Sequence, residues 1–142
     1  MRRFSTLLIA GLIATGSVQS SLAQTATSTR QVYTQAREEL DALIMQRRLG
    51  DAIRMFDEII EVDEAELDAL DAQMKEIYEH NFESVGLVRA EVHKNGFRQE
   101  MIAYWTGRDY LYLYLLMHTD GSDIRLLNFQ FDTDFHVLNS LF

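Results

Sequence analysis

A chain of 142 residues suits one domain, and a hydrophobic share of 47% with 25% charged residues is ordinary for a folded soluble protein. It has no proline and no cysteine; the second absence excludes disulfide scaffolds, thiolate zinc sites, thiol nucleophiles and a cysteine-linked lipid anchor. A formal charge of −9 argues against nucleic acid or an anionic membrane surface as partner, because both require a basic patch to meet their phosphates.

Arg2 and Arg3 precede an apolar run from Phe4 to Ala14, and small and polar residues then lead to Ser21-Leu22-Ala23. This is the order of a secretory signal peptide, so residues 1–23 are predicted to be removed after Ala23 and the protein to reach the periplasm. The apolar run is too short for a membrane-spanning helix, which needs about 20 residues. Loss of Arg2 and Arg3 moves the formal charge from −9 to −11. Residues 24–30 read as a flexible lead-in, and residues 31–142 as a single α+β domain.

Helical spacing begins with Tyr33, Ala36, Leu40, Leu43 and Ile44, and Arg47, Arg48 and Gly50 supply basic last-turn residues and a left-handed stop. A short second helix from Asp51 turns Ile53, Phe56, Ile59 and Ile60 inward. A third begins at Asp63, with Glu66 completing a capping box and Val62 with Leu67 a hydrophobic staple. Its inner face is Leu67, Leu70, Met74, Ile77 and Tyr78, and its end falls near His80-Asn81. Ten acidic residues lie between Asp57 and Glu79. Without the spacing or glycine of a calcium loop they read as a solvated helix face.

After Gly86 the apolar period becomes two. Asn95-Gly96, Gly107-Arg108 and Asp120-Gly121 each suit a two-residue hairpin turn and divide the remainder into a four-stranded antiparallel meander. Counting from those turns places Val92 opposite Gln99, Ala90 opposite Met101, Ala103 opposite Tyr112, Trp105 opposite Tyr110, Tyr112 opposite Phe129 and Tyr114 opposite Leu127. The face carrying Val88, Ala90, Val92, Met101, Ala103, Trp105, Tyr110, Tyr112, Tyr114, Leu116, Leu127, Phe129 and Phe131 is then expected to pack on the helices. The opposite face shows Arg89, Glu91, His93, Arg98 and Glu100 on its first two strands. On its last two it shows Leu111, Leu113, Leu115, Met117, Ile124 and Leu126, an apolar patch that a soluble monomer does not leave bare. The patch is the predicted interaction surface, covered by a second subunit in a homodimer, by a periplasmic protein partner, or by the terminal segment Phe135 to Phe142.

This order of helices and meander resembles the cystatin-like and nuclear-transport-factor-like cone folds. The resemblance rests on Arg48-Leu49-Gly50-Asp51-Ala52 leading into Phe56, and on the Asp120-Gly121 turn followed by Leu126-Leu127-Asn128-Phe129-Gln130-Phe131. It spans roughly residues 31 to 132 and implies a curved sheet wrapped on a helix, with a pocket at the open end. Members of that superfamily include isomerases, dehydratases, immunity proteins and dimerising modules. The steroid isomerases among them set an acid beside a tyrosine in the cone; Tyr104, Tyr112 and Tyr114 are available here, but the expected inner face holds no acid.

Chemistry-bearing patterns are sparse. Asp132, Asp134 and His136 would share one face of an extended chain and are the candidate metal ligands, against a plainer role as strand-end turn residues. His80 is expected to meet the carbonyls that end its helix. Glu91 opposite Glu100, flanked by Arg89 and Arg98, reads as a surface charge ladder. No cofactor is predicted. The sequence thus points to a dimeric periplasmic binding or protein-interaction module without an evident catalytic centre. The alternative is a small pocket enzyme of isomerase or dehydratase type with Tyr112 and His80 at the cone mouth, where Trp105, Tyr110, Tyr112, Phe129 and Phe131 would line a site for a small apolar ligand.

Overall fold

The computed structural model describes residues 20–56, 63–121 and 123–142. It is an α+β arrangement: helices α1 (Ser20–Met45), α2 (Leu49–Arg54) and α3 (Glu64–Ile77), strands β1 (Ser84–Val92), β2 (Phe97–Thr106), β3 (Asp109–Asp120) and β4 (Asp123–Asp132), then helix α4 (Phe135–Asn139). The strands form one antiparallel sheet in the order β1-β2-β3-β4. Among the described residues no helix is long and apolar enough to cross a membrane.

Helix α1 includes the segment expected as a flexible lead-in, whose Ala, Thr and Ser residues contain no glycine or proline to stop a helix. Its end differs from expectation. Arg47, at φ 61°, takes the left-handed position; Arg47 N–H donates to the Ile44 carbonyl and Arg48 N–H to that of Leu43, which is a Schellman closure. The Arg47 guanidinium then reaches the end of α3, donating to the carbonyls of Tyr78 (2.8 Å) and Glu79 (3.1 Å) and to Asn81 Oδ1 (2.9 Å). Gly50 lies inside α2 instead, where a Cβ would run into the carbonyl of Leu67; its N–H donates to Asp71 Oδ1 at 2.6 Å. Glycine is used there for close approach of α2 to α3, not as a stop.

Asp63 caps α3 through the Ala65 N–H. Val62, Ile59 and Ile60 lie outside the described residues. Leu67, Met74 and Tyr78 are buried as expected, but Ile77 is 56% exposed because α3 ends there, one turn earlier than the sequence suggests. Part of the acidic face is not merely solvated: Arg54 of α2 reaches Asp51, Glu64 and Asp68 at 2.7 to 2.8 Å.

On β2 and β3 the faces are the reverse of those read from the sequence, whereas Ala90 and Val92 of β1 and Phe129 of β4 lie on the helix side as expected. Leu111, Leu113, Leu115, Met117 and Leu126, predicted as the interaction surface, are 1–2% exposed and form the core with Leu40, Ile44, Leu49 and Ile53 of the helices, with Ile124 packed against it. Met101, Tyr112, Tyr114 and Leu116 lie on the other face, packed against Phe135, Leu138, Leu141 and Phe142. The terminal segment does cover an apolar face, but the opposite one. Aliphatic side chains bring no polar atom into the core, whereas a buried tyrosine hydroxyl must find a partner; the leucine row therefore takes the fully closed side. On the outer side Tyr114 keeps its hydroxyl bonded to Gln99 Nε2 at 2.8 Å.

Register follows the Gly107-Arg108 turn as counted, with Ala103 opposite Tyr112 and Trp105 opposite Tyr110. The other hairpins shift. Lys94–Gly96 makes a three-residue turn, so Val92 faces Arg98 and Ala90 faces Glu100, with a bulge between Leu87 and Arg89. At the last turn Asp120 faces Asp123, and a second bulge between Leu116 and Met117 brings Tyr112 opposite Asp132 and Tyr114 opposite Gln130. A bulge inserts an unpaired residue that no count from a turn detects.

Candidate functional site

The densest chemistry lies where α1 crosses β2. Tyr33, Arg37 and Asp41 recur every four residues and so form one stripe of α1, while Arg98, Glu100 and Tyr104 share the helix-facing row of β2. The Tyr33 hydroxyl and the Arg98 Nε both donate to Glu100 Oε1. Arg37 Nε lies 3.3 Å from Glu100 Oε2, Arg37 Nη1 lies 3.1 Å from Asp41 Oδ1, and the Tyr104 hydroxyl donates to Asp41 Oδ1 at 2.6 Å. The Arg98 guanidinium stands 4.6 Å above the Tyr33 ring. Two guanidiniums thus balance two carboxylates, and Glu100 and Tyr104 are fully buried. Arg37 Nη1 and Glu100 Oε2 make no hydrogen bond among the described residues; they meet their partners as charges only.

Burial dominates the titration of this cluster. It raises the Asp41 carboxyl, with the Tyr104 hydrogen bond and Arg37 opposing. It raises the Tyr104 phenol far above its usual range, helped by Asp41, and raises the Tyr33 phenol, helped by Glu100. Burial works against the Arg37 charge, and Asp41, Tyr104 and Glu100 outweigh it. Tyr78, which donates to the Tyr110 carbonyl at 2.9 Å, is pushed up to about 12 by burial, with Asp109 and Asp132 adding to it. A phenol whose folded pKa is raised holds its proton longer in the native state. Its contribution to stability is therefore complete below the unfolded value of 10 and is lost as pH rises through the folded value. We expect the phenolate absorbance of the native protein to lag that of the denatured protein above pH 10, and the unfolding free energy to fall over the window from 10 to 12 and beyond. Superimposed titration curves would contradict this.

The residues singled out from sequence are not assembled into a site. Asp132 Oδ1 accepts from the Asp134 N–H and Asp134 Oδ1 from the His136 N–H, both at 2.8 Å. The carboxylates thus shape the turn and cap α4, His136 lies in that helix, and the alternation onto one face does not occur. Among the described residues no cluster of three or more potential ligands is present. Tyr112 stands on the outer face, stacked on Tyr110 at 6.0 Å with the edge of Phe135 at 5.8 Å, while His80 is exposed beyond the end of α3, whose carbonyls Arg47 takes. Glu91 does not oppose Glu100. It lies on the outer face, bonded to Arg89 at 2.7 Å, whereas Glu100 is sealed beneath α1. The acid that the expected inner face lacked is therefore present twice, as Glu100 and Asp41. The legible signal for it was the spacing of Tyr33, Arg37 and Asp41 on the stripe next to Leu40 and Ile44.

Among the described residues, a void of about 10 Å³ lies in the core between Leu40, Ile53, Leu113 and Phe129. A surface cleft of about 290 Å³ opens beside Val32, Ala36, Phe56 and Ile124, where the titratable groups are Glu39 and Asp123. Comparison with protein families, with curated proteins and with solved structures gives no match to this chain.

Proposed function

We propose that this protein is an exported interaction module, a small cone fold of the cystatin-like kind whose working surface is the free edge of its sheet, strand β1. One observation carries the reading. On the helix side of β1 stand Val85, Leu87 and Val92, 37%, 49% and 72% exposed, with the bulge residue Val88 also bare at 46%. The other edge is more closed: Ile124, Leu126 and Phe129 of β4 pack into the helical core, and Leu127 and Phe131 are each 36% exposed. Exposed apolar side chains gathered along an unpaired strand are what a partner strand covers.

A pocket enzyme finds less support: the buried tyrosine–carboxylate pairs have the polar groups for proton transfer, but Glu100 and Tyr104 have no exposed surface from which to meet a substrate. Export rests on Arg2, Arg3, the apolar run to Ala14 and the Ser21-Leu22-Ala23 step.

Photo-crosslinking in the organism that encodes the chain tests both parts. With a photoreactive side chain at position 92, a crosslinked adduct is expected in the periplasmic fraction on protein whose intact mass begins at Gln24. The same probe at the exposed Glu66 should give none. Equal labelling at the two positions, or full-length protein confined to the cytoplasm, would overturn the reading.

A further inference from the structure

We propose that the partner on this edge is a second copy of the chain, with the two β1 strands pairing antiparallel about a twofold axis through Ala90; this rests on β1 being the working surface. β1 is the terminal strand of the sheet, so among the described residues one side of its backbone has no strand beside it. Past the bulge, Arg89, Ala90, Glu91 and Val92 pair regularly with Met101, Glu100, Gln99 and Arg98. Regular pairing on one side leaves the free N–H and C=O groups of the other side at ladder spacing.

Among axes through Arg89, Ala90 and Glu91, the charge pattern favours the central one. In an antiparallel pair, residues placed symmetrically about the axis face each other. An axis through Ala90 sets Arg89 opposite Glu91 of the partner subunit, and the symmetry repeats the pair. An axis through Arg89 or through Glu91 would instead set like charges against each other, which is unfavourable at the short cross-strand distance. The favoured register also brings Val92 to Val88 of the partner subunit, extending the bare apolar row from one copy into the next. Arg89 is already held on the outer face by Glu91 Oε1 at 2.7 Å, Asn139 Oδ1 at 3.0 Å and the Phe142 ring at 4.4 Å, so it stands ready beside the edge. Because one strand supplies both halves of each pair, a single self-complementary edge suffices for a closed dimer. Each copy is acidic overall, a repulsion screened beyond about 8 Å at physiological ionic strength.

Sedimentation equilibrium of the mature chain at physiological salt tests this, with circular dichroism confirming that each variant is folded. The wild type is expected to dimerise, and Arg89→Glu and Glu91→Arg alone should each weaken association about tenfold or more by facing like charges. An equimolar mixture of the two variants should recover the dimer, since Glu at position 89 of one chain then faces Arg at position 91 of the other. The pair within each chain stays broken in that mixture, so recovery reports the contact between chains. If either variant fails to fold, Val92→Lys at the 72% exposed position replaces it and should also be monomeric. A wild type that stays monomeric at roughly 100 µM, single reversals that leave the dimer intact, or a mixture that does not recover would each overturn the proposal. A monomer that still crosslinks to a foreign protein at position 92 would overturn the twofold pairing alone and leave the interaction module standing.

Discussion

Leu113→Glu is expected to abolish folding, with loss of the helical circular dichroism, and not to yield a folded monomer. Leu113 is 1% exposed in the middle of β3, its neighbours in the row are Leu111 and Leu115, and α1 and α2 close over it. A carboxylate there has no cation to pair with in that row and must either be buried charged or take up a proton, and the leucine's own burial is lost as well. Such a change costs on the order of 5 kcal/mol, comparable with the whole stability of a small domain at about 5 to 15 kcal/mol. Val92→Glu is the control: at a position 72% exposed on the single subunit it should loosen association at the β1 edge but leave the subunit folded, with its helical circular dichroism intact. Had the leucine row been an outer surface, Leu113→Glu would split an oligomer and leave the subunit folded. A soluble, helical Leu113→Glu variant would therefore restore the face assignment taken from the sequence and refute the packing described above.

What the sequence shows about this fold is mostly local. The helices are legible because their apolar residues recur at helical spacing, and the Gly107-Arg108 turn because a two-residue loop with positive φ at Gly107 fixes the register on both sides. Period-two alternation correctly sorts β2 and β3 into two rows of side chains. It does not say which row meets the helices, since β3 alternates leucine with tyrosine and is apolar on both sides. The tie on β3 is broken by Leu40, Ile44, Leu49 and Ile53 of the helices, which close over the leucine row, and by the C-terminal Phe135, Leu138 and Phe142, which provide a second, smaller cover for the tyrosine row.

The candidate site was less legible than the fold. Glu100 lies between Gln99 and Met101 in a strand whose neighbour carries Arg89 and Glu91, so by local pattern it belongs to a charged exterior. Only the α1 stripe bringing Arg37 over β2 makes burial of that carboxylate tolerable, and such a match is between residues 63 positions apart in sequence. Gly50 and Arg47 are misread for a related reason. The left-handed stop falls on the arginine because its guanidinium is tied to the end of α3, a contact no helix-stop rule contains.

Glu100→Gln should lower stability by about 3 kcal/mol, or about 10 °C in Tm, although the substitution changes almost no volume. The amide removes the charge that Arg37 and Arg98 share, leaving two guanidiniums against the single carboxylate of Asp41. Arg37 has nowhere wet to turn, since its side chain is 14% exposed, whereas Arg98 at 28% can lean toward solvent, which keeps the cost at the lower end for a broken buried pair. Asp41 then carries the cluster alone, and Tyr104 still needs it as acceptor. Arg37→Met removes the excess charge from the other side. Combined with Glu100→Gln it should cost less than the sum of the two single changes, by about 1 to 3 kcal/mol, the range expected of residues in one charged network. Chemical denaturation of the four proteins of this cycle measures the coupling directly. Strict additivity would mean that Arg37 and Glu100 do not interact, and that α1 is held on the sheet by its leucines alone.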